Sequence, residues 1–223
     1  KNIILLSSTS YLENDELSDP HVDFKSVLNN SEGVAVFSGT VFGLFGKLFD
    51  KGKFTEIEEL YSKLKSKYKD RFYIEIQRHG DLNEKAFEKF NLSRSSKLEI
   101  PIIATNEVYY LEKNMHEAHD ALTCIGTKTY INEKNRIKYS DNHYLKSHKD
   151  MIDLFSDLTE ALENNFNLPY RCSFKPNFSK PILPNISSSK NNPNIMLKDI
   201  SERGLKDKFN LIFNIKNEKI ENN

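Results

Sequence analysis

The sequence predicts an α/β protein in which short buried strands alternate with amphipathic helices. Two observations carry that expectation. Apolar runs of about four to eight residues recur between turn signals, the length and texture of strands in a largely parallel sheet. Between them lie stretches whose apolar residues recur at i, i+3, i+4 and i+7, the spacing of one helix face.

Taken in order, Ile3–Leu6 is an apolar run bounded by serine and reads as the first strand. Gly33–Gly39 reads as the second, Phe72–Gln77 as the third with Glu75 and Gln77 on one face, and Pro101–Asn106 as the fourth. Ile57, Leu60, Tyr61 and Leu64 predict a helix over Phe54–Leu64. Asp81 is placed to cap a helix over Glu84–Phe90, with Glu84 at the capping-box position. Over Met115–Ile125, Met115, Ala118, His119 and Leu122 share one face, and Gly126 follows. Parallel strands joined by helices cross over right-handedly and present function at their carboxyl ends. Here those ends are Ser38-Gly39-Thr40, Gln77-Arg78-His79-Gly80 and Thr105-Asn106-Glu107. After Tyr130 the texture changes. Met151–Phe166 predicts one amphipathic helix rich in Asp and Glu. Pro169–Asn194, with most of the prolines and a serine triplet, reads as an extended connector. A last helix is expected over about Leu197–Phe213, followed by a polar, frayed tail over Asn214–Asn223.

Composition excludes several classes. The chain has 223 residues, 32 basic and 32 acidic side chains and a formal net charge of +0. That balance provides no broad basic field for gripping nucleic acid. Hydrophobic residues make up 38% and charged residues 29%, and mean hydropathy is -0.61, so a soluble chain with a modest core is expected. No run approaches the ~18 apolar residues of a membrane helix, and no membrane partner is expected. Cys124 and Cys172 cannot build a disulfide framework or a four-thiolate zinc site, and they suit a reducing, cytoplasmic setting. The chain opens on Lys1 and a strand-like segment, which leads us to expect a piece of something longer.

Motif-level chemistry is sparse. Four of the six histidines fall in the pairs His116/His119 and His143/His148. A helical i, i+3 pair can share a metal, yet no third ligand lies at diagnostic spacing. Both pairs are therefore read as surface or half-buried structural residues. No HExxH, P-loop, GxGxxG or GxSxG pattern occurs. The glycine-punctuated Gly39–Gly46 lacks the Lys-Ser/Thr ending of a phosphate loop, and its apolar fill suits helix–sheet packing. Glu75, Glu107 and His79 are the polar groups expected to meet at the strand ends, ingredients of a metal site but too few for hydrolysis alone. No catalytic, cofactor-binding or metal-ligating residue is assigned within the chain.

A longer string carries more information. Arg71-Phe72-Tyr73-Ile74-Glu75-Ile76-Gln77-Arg78-His79-Gly80 and Pro101–Leu111 are joined, in order, by Glu117–Leu122, Tyr144–Ser147, Met151–Phe155 and Glu160–Asn164. Arg171-Cys172, Leu183-Pro184 and Glu202-Arg203-Gly204-Leu205 complete it. The whole resembles the bacterial DNA polymerase III alpha subunits, the C-family replicative polymerases, from Gly33 onward. The resemblance implies the later part of a PHP (polymerase and histidinol phosphatase) domain followed by the lead-in to the polymerase core. It further implies a partial, distorted (β/α)7 barrel, an extended connector and the helical start of the next domain. Residues 1–130 would then be the C-terminal part of the PHP domain, 131–175 its closing helices, and 176–223 the connector and first helix toward the core.

The same resemblance implies DNA-directed DNA polymerase activity in DNA replication, a nucleotidyl transfer that uses Mg at palm carboxylates outside this chain. It implies as partners the proofreading exonuclease subunit, the sliding clamp and DNA. Family members with a loaded PHP site carry Cys in an "SGC" turn and Asp and His in "TNDxH"; Thr40, Glu107 and Tyr109 stand there in this chain. A neutral hydroxyl and a phenol of pKa about 10 are poor replacements for thiolate and imidazole. The PHP metal site is therefore expected to be degenerate and the domain a scaffold docking the exonuclease. The alternative is a metal-dependent PHP phosphoesterase or 3'-5' exonuclease.

Overall fold

The structure is a computed structural model that describes residues 1–15, 18–182 and 192–221, with 214–221 described as backbone. It divides into two units, Lys1–Ser173 and Phe174–Asn223. The first is built on a three-stranded parallel sheet in the order β1 (Val36–Phe37), β2 (Phe72–Ile76), β3 (Ile102–Ala104). Val36 lies opposite Phe72, and Ile74 opposite Ile102. Every residue of β2 except Glu75 is buried, as a central parallel strand covered on both faces requires.

Helices supply the cover. α1 spans Asn2–Leu12, α2 Phe24–Asn29, α3 Leu44–Asp50, α4 Phe54–Tyr68 and α5 Glu84–Leu98. α4 buries Ile57, Tyr61, Leu64 and Tyr68, one stripe at helical period, against the sheet. Phe45 of α3 meets the Tyr61 ring at 4.5 Å between centroids, and the Tyr61 hydroxyl donates to Asn91 of α5 at 2.9 Å. The Gly39–Gly46 segment serves packing. A Cβ at Gly46 would stand 2.0 Å from the Val41 carbonyl oxygen, so the helix approaches backbone where only glycine fits.

The remaining helices are α6 (His116–Thr127), α7 (His148–Leu154), α8 (Thr159–Arg171) and α9 (Pro193–Glu221). α8 runs along β3 and satisfies its outer edge. Asn164 Nδ2 donates to the Ile102 carbonyl at 2.8 Å, and Asn165 Nδ2 to that of Ala104 at 2.7 Å. α9, in the second unit, starts on Pro193, where a missing N–H costs nothing.

Several expectations are corrected. Ile3–Leu6 is helical, within α1, and Ile3 and Ile4 are exposed. A four-residue apolar run does not distinguish strand from helix, and the α1 bonds are satisfied locally. The strand expected over Gly33–Gly39 is only two residues long. Asp81 does not cap α5; Asn83 occupies that position without a side-chain cap, and the helix continues to Leu98. The helix expected over Met151–Phe166 is two, because Ser147 and Asp150 form a capping box that starts α7 early, and the chain turns before Thr159. Pro169 and Tyr170 belong to α8 rather than to a connector. Most of the apolar face expected on α6 is turned outward, with Leu122 and Ile125 exposed. α9 is longer at both ends than expected, and its backbone continues to Glu221 where a frayed tail was foreseen. Leu183-Pro184 and the serine triplet lie outside the described residues.

Candidate functional site

The three strand ends converge. The Glu75 N–H donates to Ser38 Oγ at 3.0 Å, and the Thr105 N–H to the Ile76 carbonyl at 3.1 Å. Glu75 is consumed here: Gln77 Nε2 donates to its Oε1 at 3.2 Å, and the Thr105 hydroxyl donates to the same oxygen. Of the three groups expected to meet, Glu107 reaches His79 only through its backbone N–H, which donates to His79 Nε2 at 3.2 Å, while its carboxylate accepts from Tyr109. Glu75 joins Gln77 and Thr105 instead.

Local sequence sets the turn that carries His79. Gly80, at φ +83°, takes a left-handed conformation that reverses the chain beyond β2. Glu84, in the first turn of α5, accepts from the His79 N–H at 2.8 Å and the Gly80 N–H at 2.7 Å. Burial pushes the Glu84 pKa up, but the His79 side chain together with these two backbone N–H groups favours its charged form more strongly, and the carboxyl is held below its usual range.

His143, expected to be a surface or half-buried structural residue, is fully buried, as is His79. Their rings stack at 4.1 Å between centroids and 3° between planes. The intervening fold makes this possible. Ser140 Oγ donates to the His79 carbonyl at 2.7 Å, and the Tyr109 N–H to the His143 carbonyl at 2.9 Å. These bonds stitch the segment ahead of α7 to the ends of β2 and β3. Asp81 Oδ2 approaches His143 Nε2 to 3.8 Å. Ligand atoms of His79, Asp81 and His143 all lie within 4.8 Å of one another. Sequence reading missed this set. Its signal was His79-Gly80-Asp81, two ligand types spaced i, i+2 across a glycine, but nothing local pointed to His143.

Thr40, Glu107 and Tyr109, the three positions that the resemblance singles out, are otherwise engaged. Tyr109 donates its hydroxyl proton to Glu107 Oε1 at 2.7 Å. Burial, then the Glu107 carboxylate, drives the Tyr109 phenol well above its usual range, so it stays protonated. Its ring stacks on His119 at 5.3 Å and lies against Tyr139 at 4.3 Å. Thr40 Oγ1 accepts from the Phe42 N–H at 3.3 Å, closing its own turn, and lines a narrow cleft with Glu75, Asp81 and Glu84. These residues do not fit a multinuclear metal group. A protonated phenol occupies the one remaining carboxylate, and no thiolate or imidazole stands in the two other positions.

The other histidines pack or are exposed. His116 Nε2 sits 2.9 Å from the Tyr139 carbonyl, while His148 is exposed at the start of α7. Near the site Arg78 spans three elements, contacting Glu88 at 2.5 Å, Asp157 at 2.6 Å and the Leu154 carbonyl at 2.7 Å.

Residues 1–79 match the family model described as PHP domain. The chain is 37% identical over 205 residues to the DNA polymerase III subunit alpha of Rickettsia bellii, covering 92% of this chain and 17% of that protein. The subunit of Rickettsia conorii is 35% identical over 225 residues, covering 100% and 19%. That of Borreliella burgdorferi is 34% identical over 186 residues, covering 82% and 16%. The chain thus spans less than a fifth of the length of these relatives. With this likeness running along nearly all of its length, and a PHP match over its first residues, the chain belongs to the DNA polymerase III alpha-subunit family.

Proposed function

We propose that this chain acts as a structural PHP scaffold within a replicative DNA polymerase alpha subunit and carries no hydrolytic PHP chemistry of its own. The observation that carries the reading is the Tyr109 phenol seated on Glu107 Oε1 at 2.7 Å, where a loaded site would need bare ligands. The exposed apolar face of α6, with Leu122 and Ile125 outward, supports a docking role. No helix among the described residues is long and apolar enough to cross a membrane, which agrees with a cytoplasmic replication role.

On this reading the three parallel strands are part of a distorted (β/α)7 barrel. Residues 1–130 and 131–175 form the later PHP domain, and 176–223 lead toward the polymerase core. The whole subunit would be a DNA-directed DNA polymerase that adds nucleotides with Mg held by carboxylates to which no residue of this chain is assigned. Its partners would be DNA, the sliding clamp and the proofreading exonuclease subunit, the last docked on the PHP scaffold.

The test is a paired assay on the full-length subunit: primer extension with Mg2+, and nucleotide release from DNA 3' ends with Mn2+ or Zn2+. We expect extension without hydrolysis, and a Glu107→Ala variant that extends as the parent does. Hydrolysis that disappears in Glu107→Ala would sink the scaffold reading in favour of a working PHP nuclease.

A further inference from the structure

We propose that His79, Asp81 and His143 form a mononuclear site for a borderline divalent transition ion, Zn2+ foremost, which clamps the end of β2 to the segment ahead of α7. The site is a different place from the Thr40, Glu107 and Tyr109 positions. Glu107 faces the opposite edge of the His143 ring, its Oε2 lying 4.0 Å from Nδ1.

The argument rests on which ring nitrogens are used. His143 donates its Nδ1–H to the Glu107 carbonyl at 3.3 Å. Asn106 is oriented by two bonds, its Nδ2 donating to the Tyr144 carbonyl at 2.9 Å and its Oδ1 accepting from Lys146 at 3.0 Å. His79 Nε2 lies 3.0 Å from that same Oδ1, to which it can donate, and 3.2 Å from the Glu107 N–H, from which it can accept, so each neutral tautomer finds a partner there. The two nitrogens left over, His79 Nδ1 and His143 Nε2, are buried and have no hydrogen-bond partner; His143 Nε2 carries a lone pair, and His79 Nδ1 carries one in the tautomer that donates from Nε2 to Asn106. Metal-binding histidines are held in this way, the distal N–H fixed by a carbonyl or amide oxygen and the free lone pair aimed at the ion.

The third group completes the case. Asp81 presents its carboxylate 3.8 Å from the His143 lone pair, and Glu84 Oε1 lies 3.7 Å from His79 Nδ1. Two buried ring nitrogens without hydrogen-bond partners, beside the Asp81 and Glu84 carboxylates, form a pocket that a dication neutralises. Two imidazoles and a carboxylate suit Zn2+ better than Mg2+ or Ca2+, which prefer all-oxygen shells. Asp81 and Glu84 also line the narrow cleft that Thr40 and Glu75 border. Tetrahedral ligands at about 2.1 Å from an ion stand roughly 3.4 Å apart, so the present spacings, up to 4.8 Å, close by about an ångström or more on loading. The two rings must also open from their 3° stack, because each lone pair lies in its ring plane.

The experiment is zinc uptake by the full-length subunit, stripped with chelator and redialysed, compared with its Asp81→Asn and His143→Gln variants. Elemental analysis and calorimetric titration read stoichiometry and affinity, and circular dichroism checks each fold. Asp81→Asn keeps the side-chain shape, so it is the primary variant. We expect the parent to hold one more zinc equivalent than either variant, an affinity at least about tenfold lower in Asp81→Asn, and a melting temperature that zinc raises in the parent alone. Equal uptake by parent and both variants overturns the proposal. So does uptake that only Glu107→Ala removes, which would place the ion on the other edge of His143. Absence of uptake by the parent at this site overturns it as well.

Discussion

Arg78 shows how much one side chain at a strand end can organise. Its guanidinium meets Glu88 from α5 and Asp157 from the turn before α8, donates to the Leu154 carbonyl, and lies 4.9 Å over the Phe155 ring. The hydrogen bonds to Asp157 and Glu88 raise its pKa further above an already high value, so it is charged at any working pH. A planar fork serves these partners at once, whereas an ammonium serves one or two from a single point. Arg78→Lys is expected to lower stability by about 1–3 kcal/mol, read as a drop in urea midpoint with unchanged slope. A midpoint equal to that of the parent would show that the network contributes nothing net. The residue stands inside the string that carries the family resemblance, but its partners are far along the chain and no local pattern named them.

At the scale of elements, the helices decide what the short strands can be. β3 has only three residues, and its outer carbonyls at Ile102 and Ala104 are closed by Asn164 and Asn165 of α8 rather than by another strand. An unpaired buried carbonyl is costly, and two adjacent asparagines on one helix prevent it. Replacing both by alanine is expected to cost about 2–4 kcal/mol and to speed hydrogen exchange of the β2 and β3 amides before the rest of the unit. Exchange that rises evenly throughout would mean that the pair stabilises the whole unit and not this edge. Helix starts obey simpler rules. The Ser147–Asp150 capping box is legible as a Ser with an acid three residues on, and it starts α7 ahead of the amphipathic stripe.

For the whole first unit, acid is the relevant stress. Asp120 is held below the usual carboxylate range by hydrogen bonds from Arg136, which contacts it at 2.7 Å, with Lys138 and His116 adding attraction. Asp157 is held low by Arg78. A folded-state pKa below the unfolded value of about 3.9 contributes stability that is full above that value. It is lost as pH falls through the lowered folded value. Asp120→Asn should therefore be less stable than the parent near pH 6, by about 1–2 kcal/mol, with the gap shrinking as pH falls below the unfolded value of about 3.9. A gap that stays constant with pH would show that shape, not charge, makes the contribution.

What the sequence by itself determined follows from short-range physics. Alternation of apolar runs and helical spacing established the α/β class; the 3.6-residue stripe of α4 and the buried texture of Phe72–Ile76 placed the sheet and its cover. The departures at Thr40, Glu107 and Tyr109 were likewise legible, since side-chain chemistry travels with the letter. Tertiary structure alone decided the rest. Whether Ile3–Leu6 became strand or helix depended on neighbours that a four-residue run does not specify. Glu75 was drawn to Thr105 and Gln77 by the register of β2 against β3. His143 became a buried partner of His79 only because the segment after α6 returns to the end of β2, and which distant residues share a few ångströms is a property of the path between them.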